Sequence, residues 1–405
     1  MAASTVNRTA SALVLLLGLA IFFNYVDRGA IGVAAPLMKS DLGLSGAAYG
    51  LAFSAFFWVY APIQLVTGWL CDRFSVYKLL AAAILLWAAS TFLMGFVGGF
   101  ASLLVLRILL GVGESISFPG SSKVIAQHVP VEKRGVANAA LAMGIALGPA
   151  AGTLAGGLIV ASWGWRVMFW IFGAVTLAWL LPWRRTVRTV AAPNRSDQAA
   201  RVPVGAILSR WSLWSISIVH ALGNYCFYFL LAWLPLFLTK SRGFTIPEMT
   251  LLATLGYAVQ GACAYAFGHF SDWWTRSGRS EAACRRGMMI ASQSLAALAL
   301  LGLAFAHSAA AIAILLCFAG AASGALSVNL YAVGQMFAGP RAAGTWIGVQ
   351  NSIGNLSGIF GPIVTGIIVD RAGYEAAFYL TAAVAAVGAL WWAFAIPAIR
   401  QIELD

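Results

Sequence analysis

Apolar runs long enough to cross a lipid bilayer follow one another from end to end of this 405-residue chain, and they restrict its fold more than any motif does. A helix needs roughly 20 such residues to span the hydrocarbon. With 61% hydrophobic and only 9% charged residues, the composition lies outside that of water-soluble domains. The chain is therefore read as an all-α integral membrane protein.

Hydropathy predicts twelve transmembrane helices, near residues 10–37, 46–70, 78–98, 101–125, 136–160, 166–183, 211–238, 248–270, 287–306, 310–336, 342–369 and 374–396. The first run follows Arg8 as a signal peptide would. It continues into "NYVDRGAIGVAAP" without a cleavage site, so it reads as a retained span. The formal charge of +12 does not point to a nucleic-acid partner, because the basic residues are spread among short loops. With both termini cytoplasmic, Arg8, Arg73, Lys78, Lys123, Lys133, Arg134, Arg184, Arg185, Arg285 and Arg286, among others, fall on the inner side. The outer side receives Lys39, Arg166, Lys240, Arg242 and Arg371. That asymmetry is the positive-inside signature, and it accounts for the charge. The five cysteines stand singly, without CxxC spacing, so neither a disulfide framework nor a metal site is expected.

The stretch 184–210, rich in Arg, Ala, Pro and Ser, reads as a cytoplasmic linker between an N-terminal bundle (1–183) and a C-terminal bundle (211–405). The halves echo one another. "GWLCDRF", with Gly68 and Asp72, answers "GHFSDWW", with Gly268 and Asp272. Farther on, Gly164 matches Gly373 and Phe169 matches Phe378. Two pseudo-symmetric six-helix bundles are the architecture of rocking transporters. Gly144, Gly148, Gly152 and Gly156 recur every fourth residue and predict a groove on span five for close helix packing.

Of the 13 acidic residues, Asp27 and Glu114 fall well inside spans, accompanied by Arg28 and Arg107. On insertion scales each costs about 2.5 to 3.5 kcal/mol at the bilayer centre, so four unpaired charges sum to about 10 to 14 kcal/mol. Arg107 and Glu114 share a helix face but stand about 10.5 Å apart, so each must look to another helix, to water or to a ligand. Asn24, Tyr25 and Gly29 flank the first pair, as expected where a span lines a cavity. One reading is a buried structural network. The other is an anion site in which arginine attracts a carboxylate and the acids carry protons, the two being linked because each charge shifts its neighbour's proton affinity.

The stretches "NYVDRGAIGVAAPLMKSDLGLS", "GLAFSAFFWVYAPIQLVTGWLCDRF" and "RILLGVGESISFPG" resemble the first, second and fourth spans of the anion:cation symporter family of the major facilitator superfamily. That family includes bacterial sugar-acid permeases and the animal sialic acid and vesicular glutamate transporters. The resemblance runs over nearly the whole chain. It implies a non-enzymatic, cofactor-free monomer in a bacterial inner membrane, importing a small organic anion with protons by alternating access.

Carried over by position, Arg28 would hold the substrate carboxylate beside Tyr25 and Tyr60, and Asp27 and Glu114 would be the protonatable pair. Arg107 would connect proton state to occupancy, Asp72 and Arg73 would serve gating, and Asn351 and Asn355 would contact the substrate body. His220, Asn224, Tyr257, Gln260 and Gln335 are lesser candidates. Span five offers no amide beyond Asn138, a departure that points away from heavily hydroxylated acids.

Among rivals, an organic phosphate antiporter would show an arginine in span seven, which has none. A hydrolase would need a nucleophile paired with a base or metal, and no HExxH or GxSxG occurs. An exchanger, a facilitative carrier and a membrane ligand sensor stay open.

Overall fold

The computed structural model describes residues 2–129, 134–188, 190 and 204–403. Every regular element among them is helical. The first half contains α1 (Ala2–Asp41), α2 (Gly46–Arg73), α3 (Val76–Met94), α4 (Phe100–Glu114), α5 (Ser117–His128), α6 (Arg134–Trp163), α7 (Trp165–Ala178) and α8 (Leu180–Val187). The second contains α9 (Val204–Leu208), α10 (Trp211–Leu236), α11 (Ile246–Arg276), α12 (Glu281–Phe305), α13 (Ala309–Asn355) and α14 (Ser357–Leu390). π-Helical turns, Phe237–Ser241 and Trp391–Ala395, prolong α10 and α14.

Eleven helical stretches among the described residues are long and apolar enough to cross a membrane, against the twelve read from hydropathy. The difference lies in Thr345–Ala395, a single stretch of 51 residues where the sequence places two spans. Gly373, at φ 82°, interrupts it. Span four differs in the other direction. Its helix breaks immediately after Glu114, and Ser115 and Ile116 form the turn into α5. The ends of the segment read as a linker are helical, because α8 is anchored by buried Trp183 and α9 by buried Ile207. Residues 191–203 between them lie outside the described residues.

Contacts group the chain into two compact units. One comprises Met1–Leu44, Leu51–Ser196 and Thr245–Thr250, the other Ser45–Gly50, Asp197–Phe244 and Leu251–Asp405. The second has a core in which Ile207, Leu213, Met289, Phe337, Trp346 and Trp392 pack together.

The internal repeat survives at the level of backbone angles. Gly164 begins α7 at φ 82° and ψ 168°, and its counterpart Gly373 has φ 82° and ψ 177°. Side chains rarely adopt that conformation, so glycine at both places is a steric requirement. Phe169 and Phe378, five residues beyond each, are buried.

The glycine groove on α6 packs against α1. A Cβ on Gly144 would lie 2.8 Å from Phe22 N, one on Gly148 2.5 Å from the Cβ of Tyr25, and one on Gly152 2.6 Å from Val26 O. The fourth glycine differs, since a Cβ on Gly156 would meet the Met168 sulfur at 3.0 Å, a neighbour that yields. Gly148→Leu is expected to force α1 and α6 apart and cost about 1 to 3 kcal/mol or more, whereas Gly156→Ala should be tolerated. Thermal unfolding in detergent, with monodispersity on size exclusion, checks the contrast.

Candidate functional site

The site in the first unit depends on how closely α4 approaches its neighbours. A Cβ on Gly111 would lie 2.2 Å from the Phe56 carbonyl oxygen of α2, and one on Gly113 2.7 Å from Trp87 on α3. The "GVG" of the fourth span therefore lets α4 settle between α2 and α3, with Glu114 at its end. From there Glu114 accepts a hydrogen bond from Arg28 of α1, with Nε to Oε2 at 3.3 Å.

Arg28 sits in an aromatic box. Its guanidinium carbon lies 4.9, 5.1 and 4.6 Å from the ring centroids of Tyr25, Phe56 and Tyr60. Phe56 and Tyr60, one turn apart on α2, stack at 4.9 Å. Each such ring contributes about 0.5 to 2 kcal/mol toward holding a desolvated cation. The expected grouping of Arg28, Tyr25 and Tyr60 is thus present.

The other two charges go elsewhere. Asp27 turns toward α3, where its Oδ2 accepts hydrogen bonds from the Trp87 indole N–H and from Thr91 Oγ1, the latter at 3.0 Å. Arg107 binds the backbone of α2, donating from Nη2 to Phe53 O at 2.8 Å and from Nε to Ala52 O at 3.3 Å. Its guanidinium carbon lies 5.3 and 5.1 Å from the rings of Phe53 and Phe56. Arg107 and Glu114 therefore look to separate helices, as their spacing requires.

Exposure of Asp27, Arg28, Arg107 and Glu114 is 4, 7, 3 and 1%. Tyr25, Phe56 and Tyr60 close over the Arg28 guanidinium.

In the second unit, Asn351 and Asn355 lie one turn apart near the end of α13. Asn355 Oδ1 accepts from the Tyr228 hydroxyl at 2.5 Å, and its Nδ2 donates to Asn351 O at 2.8 Å. Asn351 Oδ1 accepts from Tyr331 at 2.8 Å. Both amides are thus held by tyrosines on α10 and α13 that spacing alone does not single out. His220 is buried against Gly354, with Tyr331 edge-on at 5.5 Å. Asn224 donates to Gly354 O at 3.2 Å. Tyr257 is buried, Gln260 lies along the contact of α11 with Gly320 and Gly324, and Gln335 is exposed. Of the pair expected to serve gating, Arg73 is exposed, while the side chain of Asp72 lies outside the described residues, as do those of Lys133 and Asn138.

Among the described residues, then, apolar helices hold an arginine on a buried carboxylate inside an aromatic box. The chain belongs to the Major Facilitator Superfamily, whose family model matches residues 17–284 and again 282–401. It is 30% identical over 404 residues to a probable sulfoacetate transporter of Cupriavidus necator, covering 95% of this chain and 93% of that one. It is 28% identical to a probable galactarate/D-glucarate transporter of Bacillus subtilis, covering 97% and 93%. Identity to the chloroplastic ascorbate transporter of Arabidopsis thaliana is 27%, covering 91% and 71%. The fold matches the crystal structure of a bacterial homolog of the human lysosomal transporter Spinster, inward-facing and unoccupied. The TM-score is 0.83 at 20% identity, covering 96% of this chain and 98% of that one. The protein is a multi-pass membrane transporter of this superfamily, not an enzyme.

Trp87→Phe removes one donor to Asp27 while keeping most of the apolar volume. It is expected to lower stability by about 1.5 to 3 kcal/mol, the range for hydrogen bonds to charged groups. Thr91→Val should cost less, and thermal unfolding of both variants checks the order.

Proposed function

We propose that this chain is a proton-coupled symporter that imports a small organic anion by alternating access. The observation that carries the reading is the Arg28–Glu114 pair under the rings of Tyr25, Phe56 and Tyr60. An arriving carboxylate or sulfonate competes with Glu114 for Arg28, whose planar fork suits such groups. Glu114, once displaced, is a buried carboxylate without its counter-charge, a state that favours taking up a proton. Anion and proton therefore enter together, with Asp27 as the second protonatable group and Arg107 tying α4 to α2 as occupancy changes. Asn351 and Asn355, oriented by Tyr331 and Tyr228, contact the body of the solute, and Asp72 and Arg73 serve gating.

The wider architecture follows the same reading: twelve spans in two six-helix bundles, 1–183 and 211–405, joined by a linker over 184–210. A helix of 51 residues measures about 76 Å, more than twice the about 30 Å hydrocarbon thickness, which supports two crossings within Thr345–Ala395. The basic loops support cytoplasmic termini in a bacterial inner membrane, and one chain suffices as a monomer. The missing amide in span five, together with the sulfoacetate transporter among the relatives, favours a compact acid over a polyhydroxylated one.

The test is uptake into proteoliposomes of labelled sulfoacetate, glucarate and a hexuronate under an imposed pH gradient. Accumulation that a protonophore abolishes is the expected result, and equilibration without accumulation would instead favour a facilitative carrier. Glu114→Gln should keep anion exchange yet lose proton-driven accumulation; intact uphill uptake would remove Glu114 from coupling. Arg28→Ala should abolish saturable anion binding by calorimetry, and unchanged affinity would place the anion elsewhere.

A further inference from the structure

Asn24 has no place in the scheme above, yet its surroundings single it out. It is 0% exposed, and neither its Oδ1 nor its Nδ2 has a hydrogen-bond partner among the described residues. A buried amide left unpaired costs about 1 to 3 kcal/mol, so such groups are rare in folded proteins unless water serves them.

Asn24 precedes Asp27 by three residues and Arg28 by four. At 100° per residue its side chain leaves α1 between theirs, one turn away. The opposite face of α1, carrying Phe22, Tyr25 and Val26, is the one packed on the glycines of α6. Asn24 thus points into the space where α1 faces α3 and α4. Each of the two acids likewise keeps one carboxylate oxygen buried and unserved. Asp27 uses Oδ2 for Trp87 and Thr91 and leaves Oδ1 without a partner, and Glu114 uses Oε2 for Arg28 and leaves Oε1 without one. One carboxylate oxygen from each acid and both ends of one amide are therefore buried and unserved. A buried water typically makes about three hydrogen bonds, and these groups have that many donors and acceptors to offer.

We propose that Asn24 anchors ordered water between Asp27 and Glu114, so that the two acids exchange a proton through it and titrate as one unit. The proton that leaves one carboxyl is gained by the other, with no net change of charge between them. Arg28 faces Glu114, Trp87 and Thr91 face Asp27, and Arg107 faces the α2 carbonyls. Asn24 is a positioning residue, and the inference rests on the proton-coupled reading.

The experiment compares wild type, Asn24→Leu and Asn24→Ser in proteoliposomes, using whichever acid of the panel above the wild type takes up best. Asn24→Leu, close in volume but unable to hold water, is expected to lower proton-driven accumulation by about tenfold or more, with gradient-free exchange kept within about twofold. Asn24→Ser, which keeps a hydroxyl and leaves room for another water, should restore most of the coupling. Undiminished coupling in Asn24→Leu overturns the inference, as does equal loss of coupling and exchange without rescue by Asn24→Ser.

Thermal unfolding supplies an arm independent of transport. In a hydrated site Asn24→Leu lowers the melting temperature by stranding the two acids, whereas in a dry site it raises it by removing an unpaired amide. A rise overturns the inference. A wild type that shows no proton-driven uptake overturns the proposed function instead, and the melting arm still judges the water.

Discussion

An arginine and a glutamate held together inside a bilayer are the interaction on which the rest of this molecule turns. Neither ion is affordable alone at that depth, and pairing them in a low-dielectric interior works only with good geometry and further partners. Much of the first unit reads as the means to that end. The glycines of α6 bring α1 into backbone contact, Gly111 and Gly113 bring α4 against α2 and α3, and Phe56 and Tyr60 present ring faces to the guanidinium. Small residues set the helix spacing, and the spacing sets which charges meet.

The four membrane charges are dispersed into three settings: an ion pair under rings, a carboxylate on an indole and a hydroxyl, and a guanidinium on main-chain carbonyls. A dry knot of all four would satisfy every group and leave nothing to release. Here one member, Glu114, has Arg28 as its counter-charge, and Arg28 is also the group suited to an incoming anion. In the proposed symport that single competition is the source of the differential affinity by which a ligand shifts a conformational equilibrium.

How much of this could be read from residues alone varied with the kind of interaction. The repeated halves were legible down to Gly164 and Gly373, because a backbone angle that only glycine tolerates leaves a mark at one position. The groove on α6 was legible for a similar reason, since every fourth residue faces one way. That Arg107 and Glu114 could not pair followed from the helix rise. The partners of the buried polar groups did not follow, because Trp87 and Thr91 for Asp27, Phe53 for Arg107 and Tyr228 for Asn355 lie on other helices at distances in sequence that carry no periodicity. Closure of the aromatic box over Arg28 was illegible too, being a property of one conformation. The break after Glu114 has its sequence signal in Pro119, which offers no N–H to the Ser115 carbonyl four residues earlier and crowds it with its ring.

Phe56 is touched by both arginines, each guanidinium carbon lying 5.1 Å from its centroid. One ring thus offers its electron density to two like charges carried by different helices. Any sliding or rolling of α2 that improves the fit to one must alter the fit to the other, and Arg107 also grips the α2 main chain directly upstream at Ala52 and Phe53. The benzyl group is thus a contact that the two arginines share, and the setting of α2 bears on both of them at once.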